Sequence, residues 1–233
     1  MLAVDQFRYG ADNLGYVIHG GGEALIVDGG AVDEILAFLQ RNGLNVRAIV
    51  NTHGHSDHTT GNNALRMRTG AQLLEPGELD DGAVIYLGGE TVRVLRTPGH
   101  SRDSLCLYAG NALLTGDTLF NGTIGNCFTG DLRAFYESIR KLMAFPPDTI
   151  VYAGHDYVND SIAFARRLEP DNGELERFLD RYDPGLVCST LAEEALINPY
   201  LRFNEPSIIA LMKSRGLPTG TEWERWQSLM SVE

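Results

Sequence analysis

Five of the six histidines in this 233-residue chain stand in three short clusters, with two aspartates placed among them. The densest cluster is Thr52-His53-Gly54-His55-Ser56-Asp57-His58, followed by Pro98-Gly99-His100, Gly116-Asp117 and Gly154-His155. Imidazole and carboxylate are the donors that divalent zinc, iron and manganese accept. His53 and His55, two residues apart, point the same way from an extended segment. Asp57 and His58 fall on the following turn, where they face a second ion. The division expected is His53, His55 and His100 for one metal and Asp57, His58 and His155 for the other. The Asp117 carboxylate lies between them as a bridge. Two such ions, roughly 3.5–4 Å apart, hold a water and lower its pKa from about 15.7 towards 7. The chemistry expected is attack of that hydroxide on a carbonyl, with the ions stabilising the developing oxyanion. The sixth histidine, His19, reads as a hairpin or surface residue.

Each cluster follows an apolar run with a glycine beside it: AIVNTHGH, RVLRTPGH, ALLTGD and IVYAGH. Strands fix such loops at one edge of a rigid sheet, and glycine lets the chain turn back over that edge. Strands are predicted at 14–19 and 23–28, flanking Gly20-Gly21-Gly22, then at 46–51, 91–96, 104–108, 112–115 and 149–153. Helical spacing marks 32–40, closed by Gly43, then 57–68, and 132–143 before Pro146-Pro147. Beyond His155 the pattern turns helical, at 161–168, 173–182, 190–197, 206–213 and 221–229. The expected architecture is a layered α/β sandwich over 1–160, with a helical substrate-binding tail over 161–233 across one end.

A hydrophobic content of 43% and a charged content of 21% suit an ordinary globular protein. The net charge of -12 argues against nucleic acid or an anionic membrane as partner, because affinity for phosphates comes from Lys and Arg. The opening MLAVDQFRYG carries Asp5 and Arg8, so no secretory leader is expected, and no apolar run is long enough to span a bilayer. Cys106, Cys127 and Cys188 are far apart, odd in number and free of CxxC spacing. They read as buried free thiols, in keeping with a cytoplasmic location.

With its HxHxDH motif and the later His, Asp and His, the chain resembles the metallo-β-lactamase superfamily, and within it the glyoxalase II (hydroxyacylglutathione hydrolase) family. The strings NTHGHSDHTTGN, TPGHS, LLTGDTLF, PPDTIVYAGHDY, FARRLEPDN and STLAEEALINPYLR carry the resemblance across most of the chain. LEPDN and STLAEE…NPYLR are more specific than the metal motif, because most other superfamily members lack them. The resemblance implies a four-layer αββα sandwich and two divalent ions. It implies cleavage of S-(2-hydroxyacyl)glutathione to a 2-hydroxy acid such as lactate and a free thiol. Asp57 and Asp117 would serve catalysis as well as ligation, Asp57 by orienting the nucleophile. Tyr157, after Gly154-His155-Asp156, would contact glutathione. Two departures stand out. Where the family usually places a basic residue and then an aromatic after GDTLF, this chain has GTIGNCFTG, offering Asn126 and Phe128. The family's terminal basic pair is also missing in that form, leaving Lys213 and Arg215, with Arg202 of NPYLR, as candidate carrier contacts. Persulfide dioxygenases with a single iron keep the same HxHxDH string and are the alternative reaction class, against which LEPDN and STLAEE weigh. A relaxed thioesterase acting on other thiols is the second alternative.

Overall fold

The computed structural model describes residues 1–232. Its first half runs β1 (Ala3–Tyr9), β2 (Asn13–Gly20), β3 (Glu23–Val27), α1 (Val32–Asn42), β4 (Asn45–Val50), α2 (Ser56–Thr59), α3 (Asn62–Thr69) and β5 (Gln72–Leu74). The second half runs β6 (Val84–Leu87), β7 (Glu90–Arg96), β8 (Leu105–Ala109), β9 (Ala112–Gly116), β10 (Leu119–Phe120), β11 (Thr123–Ile124), α4 (Leu132–Met143) and β12 (Ile150–Ala153). The chain then continues through α5 (Val158–Leu168), α6 (Glu174–Leu179), β13 (Ser189–Thr190), α7 (Leu191–Ile197), α8 (Pro206–Ser214) and α9 (Glu222–Leu229).

The strands make two sheets, ordered β1-β2-β3-β4-β5 and β13-β12-β9-β8-β7-β6, with β10 and β11 as a separate small hairpin. Gly21 and Gly22, both with positive φ (55° and 81°), turn β2 into β3. That double requirement is what a two-residue hairpin of this hand imposes. Strand periodicity then sorts the core. On β3, Leu25 and Val27 face the other sheet, while Ala24 and Ile26 face Ile35 and Leu39 of α1 and Leu65 of α3. On β8, Leu105, Leu107 and Ala109 face inward, and Cys106 faces the outer layer holding Phe135 and Ile139 of α4. Helix, sheet, sheet, helix is thus the αββα arrangement expected.

Residues after 155 complete both outer and inner cores. Val158, Ile162 and Ala165 of α5, with Phe178 of α6 and Ile197 of α7, pack into the layer between the sheets. Trp226 of α9 and Met212 of α8 join the α4 layer. This part is not wholly helical, since β13 pairs antiparallel with β12. One further correction concerns the helix expected over 57–68, which is two helices parted at Gly61. Thr60 and Gly61 keep right-handed helical angles across the break, and Gly61 lies against the Gly29 carbonyl, where a Cβ would come within 2.0 Å of the oxygen.

Candidate metal centre

All four ligand-bearing loops leave the same end of the sandwich, after β4, β7, β9 and β12. Gly154 donates its N–H to the Gly116 carbonyl at 2.8 Å, which places His155 beside Asp117. His53 Nε2 and His100 Nε2 approach His55 Nδ1 to 2.9 and 3.1 Å. On the other side His155 Nε2 lies 3.2 Å from His58 Nε2 and 3.3 Å from Asp57 Oδ2. Asp117 sits between the groups, with Oδ1 3.3 Å from His58 Nε2 and Oδ2 3.5 Å from both His100 Nε2 and His155 Nε2. The structure therefore brings together all seven residues singled out from sequence. Five are buried, His55 is half-buried and Asp57 is exposed.

This arrangement fits divalent ions better than hydrogen bonds alone. Two imidazole nitrogens converge on His55 Nδ1, and one proton can satisfy only one of those contacts. Asp117 Oδ1 is buried with no hydrogen-bond partner. Donors about 2.0–2.1 Å from a tetrahedral ion lie about 3.3 Å from one another, and the spacings above scatter around that length. Electrostatics agree. Burial pushes the His53 imidazole down to about 4, and burial likewise lowers His100, so both stay neutral as ligands must. Burial opposes a charge on His58, yet Asp28 and Asp117 overcome it and push the group up to about 11. His155 is raised against burial by Asp117 and then Asp12. Asp117, although buried, is held far below the usual carboxylate range by His155 and His58. The carboxylates thus demand positive charge in the cluster, and a cation answers that demand as well as protons do.

The candidate carrier contacts divide. Tyr157 stacks on His155, with ring centroids 5.0 Å apart and planes within 4°, and Phe120 packs edge-on to it. Asn126 accepts a hydrogen bond from His100 Nδ1 through its carbonyl at 3.1 Å. Asn126 also helps line a groove of about 260 Å³ with Phe120, Ile124, Tyr157, Asp160 and Phe164. Phe128 is two-thirds exposed, and its ring lies 5.1 Å from His100 at the mouth of the cluster. Arg202 does not join them. Its guanidinium forms a two-pronged pair with Glu169, at 2.8 and 2.9 Å, which binds the tail to itself. Lys213 and Arg215 stand exposed at the end of α8. They have no hydrogen bond or ion pair with the cluster among the described residues.

Residues 12–81 and 73–155 match the metallo-β-lactamase superfamily, and residues 156–230 match the hydroxyacylglutathione hydrolase C-terminus. A hydroxyacylglutathione hydrolase of Anaeromyxobacter dehalogenans is 37% identical over 227 residues, covering 90% of this chain and 89% of that one. One from Chromohalobacter salexigens is 34% identical, covering 83% of each chain. The chain belongs to the hydroxyacylglutathione hydrolase family. Among solved structures, ETHE1 from Myxococcus xanthus superposes with a TM-score of 0.72 at 24% identity, over 99% of this chain and 90% of that one. That likeness is one of fold. Membership in a metallo-β-lactamase family, together with the converged His/Asp cluster, makes this a divalent-metal-binding hydrolase.

Around the seven converging residues stands a ring of residues that sequence reading missed. Asp28 accepts from Thr52 N–H and Oγ1 at 2.8 and 2.7 Å and from His58 Nδ1 at 3.0 Å. Asp12 holds His155 Nδ1 at 3.0 Å, and the Asn13 amide donates to Asp57 Oδ2 at 3.0 Å. Asn51 donates to the His58 carbonyl at 2.7 Å. Such partners fix the tautomer and direction of each ligand. One signal was available for Asp28, which ends the β3 run just before Gly29-Gly30 as Asp117 ends β9.

Proposed function

We propose that this chain hydrolyses a 2-hydroxyacyl thioester, S-lactoylglutathione in the first instance, to a 2-hydroxy acid and a free thiol, using two divalent ions drawn from zinc, iron and manganese. The observation that carries the reading is the convergence of six donor residues around a seventh, Asp117, at the rim of an aromatic groove. His53, His55 and His100 would hold one ion, Asp57, His58 and His155 the other, and Asp117 both. Bound there, the ions supply Lewis acidity and a water of lowered pKa.

The chain's own residues do the rest. Asn13 keeps the Asp57 carboxylate turned towards His58 and His155, where it can accept a proton from the attacking water. Asp28 and Asp12 fix His58 and His155 from behind. Tyr157, stacked on His155, forms the step between cluster and groove, and residues 161–233 supply part of the groove wall through Ser161 and Phe164. No separate acid is required for the leaving group, because a thiol with a pKa near about 8.5 departs as its anion. His19, the one histidine outside the cluster, bonds Asp5 on the β1–β2 edge and plays no part.

One observation favours the relaxed-thioesterase reading of the same site. Among the described residues lining the groove there is no Lys or Arg, so the carboxylates of glutathione meet no cation there. Rates on lactoyl thioesters of glutathione, coenzyme A and a simple thiol decide between the two. Chelation should abolish turnover of all three, and added divalent metal should restore it. Full activity in metal-free protein would sink the proposal, and oxygen uptake with glutathione persulfide would replace it with the dioxygenase. Among the described residues no helix is long and apolar enough to cross a membrane. The three free cysteines support placing the enzyme in the cytoplasm.

A further inference from the structure

The buried acid that this reaction leaves unused is Glu194. It lies on α7, inside the string STLAEEALINPYLR, and is fully buried with no Lys or Arg paired to it among the described residues. Its neighbour Glu193 already serves the helix as the capping-box partner of Thr190, so Glu194 is not needed there. A carboxylate buried without a cation is costly unless hydrogen bonds replace its water. Here they do. Gly122 N–H reaches both oxygens at 3.1 and 3.0 Å, Ser189 Oγ donates to Oε1 at 2.7 Å, and Asn198 Nδ2 donates to Oε2 at 2.8 Å.

Those partners lead to one place. Gly122 is in the turn of the β10–β11 hairpin, and Asn198 also donates to the Thr123 carbonyl of that hairpin at 3.0 Å. Asn121, beside Gly122, donates to Ser189 Oγ at 2.7 Å. The hairpin contributes Phe120, Thr123 and Ile124 to the groove, and Phe120 packs on Tyr157 and His155. Two-residue strands cannot hold themselves in register, so the hairpin's position depends on what grips its turn.

We propose that Glu194 is a positioning residue for the thioester: from α7 it anchors the β10–β11 turn, and so sets the groove wall against which the substrate lies. The inference rests on the thioester hydrolase reading above for the identity of the substrate. It gives the STLAEE string a task, which is to let the C-terminal segment shape a wall that belongs to the metal-binding part of the chain.

The test compares metal-replete wild type with E194Q, E194A and E194D. S-lactoylglutathione serves for kinetics, and a non-hydrolysable S-alkyl glutathione thioether for binding. Leaving the Gly122 and Asn198 donors unpaired should raise KM and the thioether Kd about tenfold in E194A. The bound-metal stoichiometry should stay at the wild-type level, and kcat should change far less than KM. E194Q, whose carbonyl still accepts from Gly122 and Asn198, should bring both constants back near wild type. Should E194A not fold, E194D decides, since it keeps the charge but is one methylene short of the turn, and its KM should rise as well. Unmoved KM and Kd in E194A and E194D, a fall in kcat alone, or a loss of metal would overturn the proposal. If wild type binds the thioether yet cleaves no thioester, the reaction assigned above fails while the binding ratio still judges Glu194. If wild type does neither, both fall together.

Discussion

Asp28 shows how much of the metal chemistry rests on a residue that touches no ion in the proposed scheme. It is buried, and it is the one non-glycine residue with positive φ (48°) among the described residues. Side chains rarely adopt that conformation, and asparagine and aspartate adopt it most easily. Its two oxygens take the Thr52 N–H and hydroxyl and the His58 Nδ1–H, so one carboxylate orients the start of the His53 loop and the His58 ring together. Asparagine at this position would keep the backbone conformation while removing the charge and one acceptor. D28N should therefore fold, yet bind metal about 10–100-fold more weakly, the usual loss when the partner of a ligating histidine is removed. Competition against a chelator of known affinity measures this directly, and an unchanged metal affinity would show that His58 is held by its other neighbours. The seven converging residues themselves were legible in the sequence because histidine is scarce and its spacing conspicuous. Asp12, Asn13 and Asp28 were not, because the ligands they orient lie 30 to 143 positions away in the chain and only the folded sheets bring them near.

Among the elements, those that end in a ligand were the easiest to read, since β4, β7, β9 and β12 are each apolar runs stopped by a polar loop. β1 escaped notice because Asp5, Gln6 and Arg8 interrupt it on an edge where half-burial is enough. The break between α2 and α3 was also missed, although Gly61 marks it; the glycine is needed there because the Gly29 carbonyl lies where a Cβ would be. The glycines beside the cluster were rightly read as mattering: Gly99 and Gly116 take positive φ (150° and 49°), while Gly154 matters for closeness of approach. A Cβ at Gly154 would lie 2.2 Å from Asp117 Oδ1 and 2.9 Å from the His58 ring. The end of β12 is thus pressed against the centre of the cluster. In G154A the strand should persist, since nothing in its pairing depends on that side chain, while Asp117 is forced off the midline between the two ligand triads. Circular dichroism like that of wild type, with at least about a tenfold loss of metal affinity, is the expected pair of results for a misplaced coordinating group. If metal binds normally, the cluster is more pliable than its packing implies.

On the scale of the whole molecule, the two sheets and the C-terminal helices are joined by polar as well as apolar contacts, and Glu194 makes the joint sensitive to pH. Burial raises its carboxyl from the ordinary 4.5 to about 7, a rise that its hydrogen bonds moderate without cancelling. With the folded value above the unfolded one, the folded protein binds more protons than the unfolded chain between those two values. Stability must then decline as pH increases through that window. The full benefit of the protonated group is present below about pH 4.5 and is gone above about pH 7, a difference of about 3 kcal/mol for a shift of this size. His58, Asp117 and His155 are shifted as well, so the dependence of wild type alone would mix several groups. E194Q shares every one of those groups but cannot ionise at 194. Urea unfolding of both proteins in the same metal-free buffer, from pH 5 to pH 8, isolates the contribution. Wild type should lose about 2–3 kcal/mol relative to E194Q across that range. Parallel curves would mean that the Gly122, Ser189 and Asn198 donors keep the carboxylate charged throughout. The C-terminal segment would then be tied to the hairpin by a permanent anion, and the joint would carry no dependence on pH.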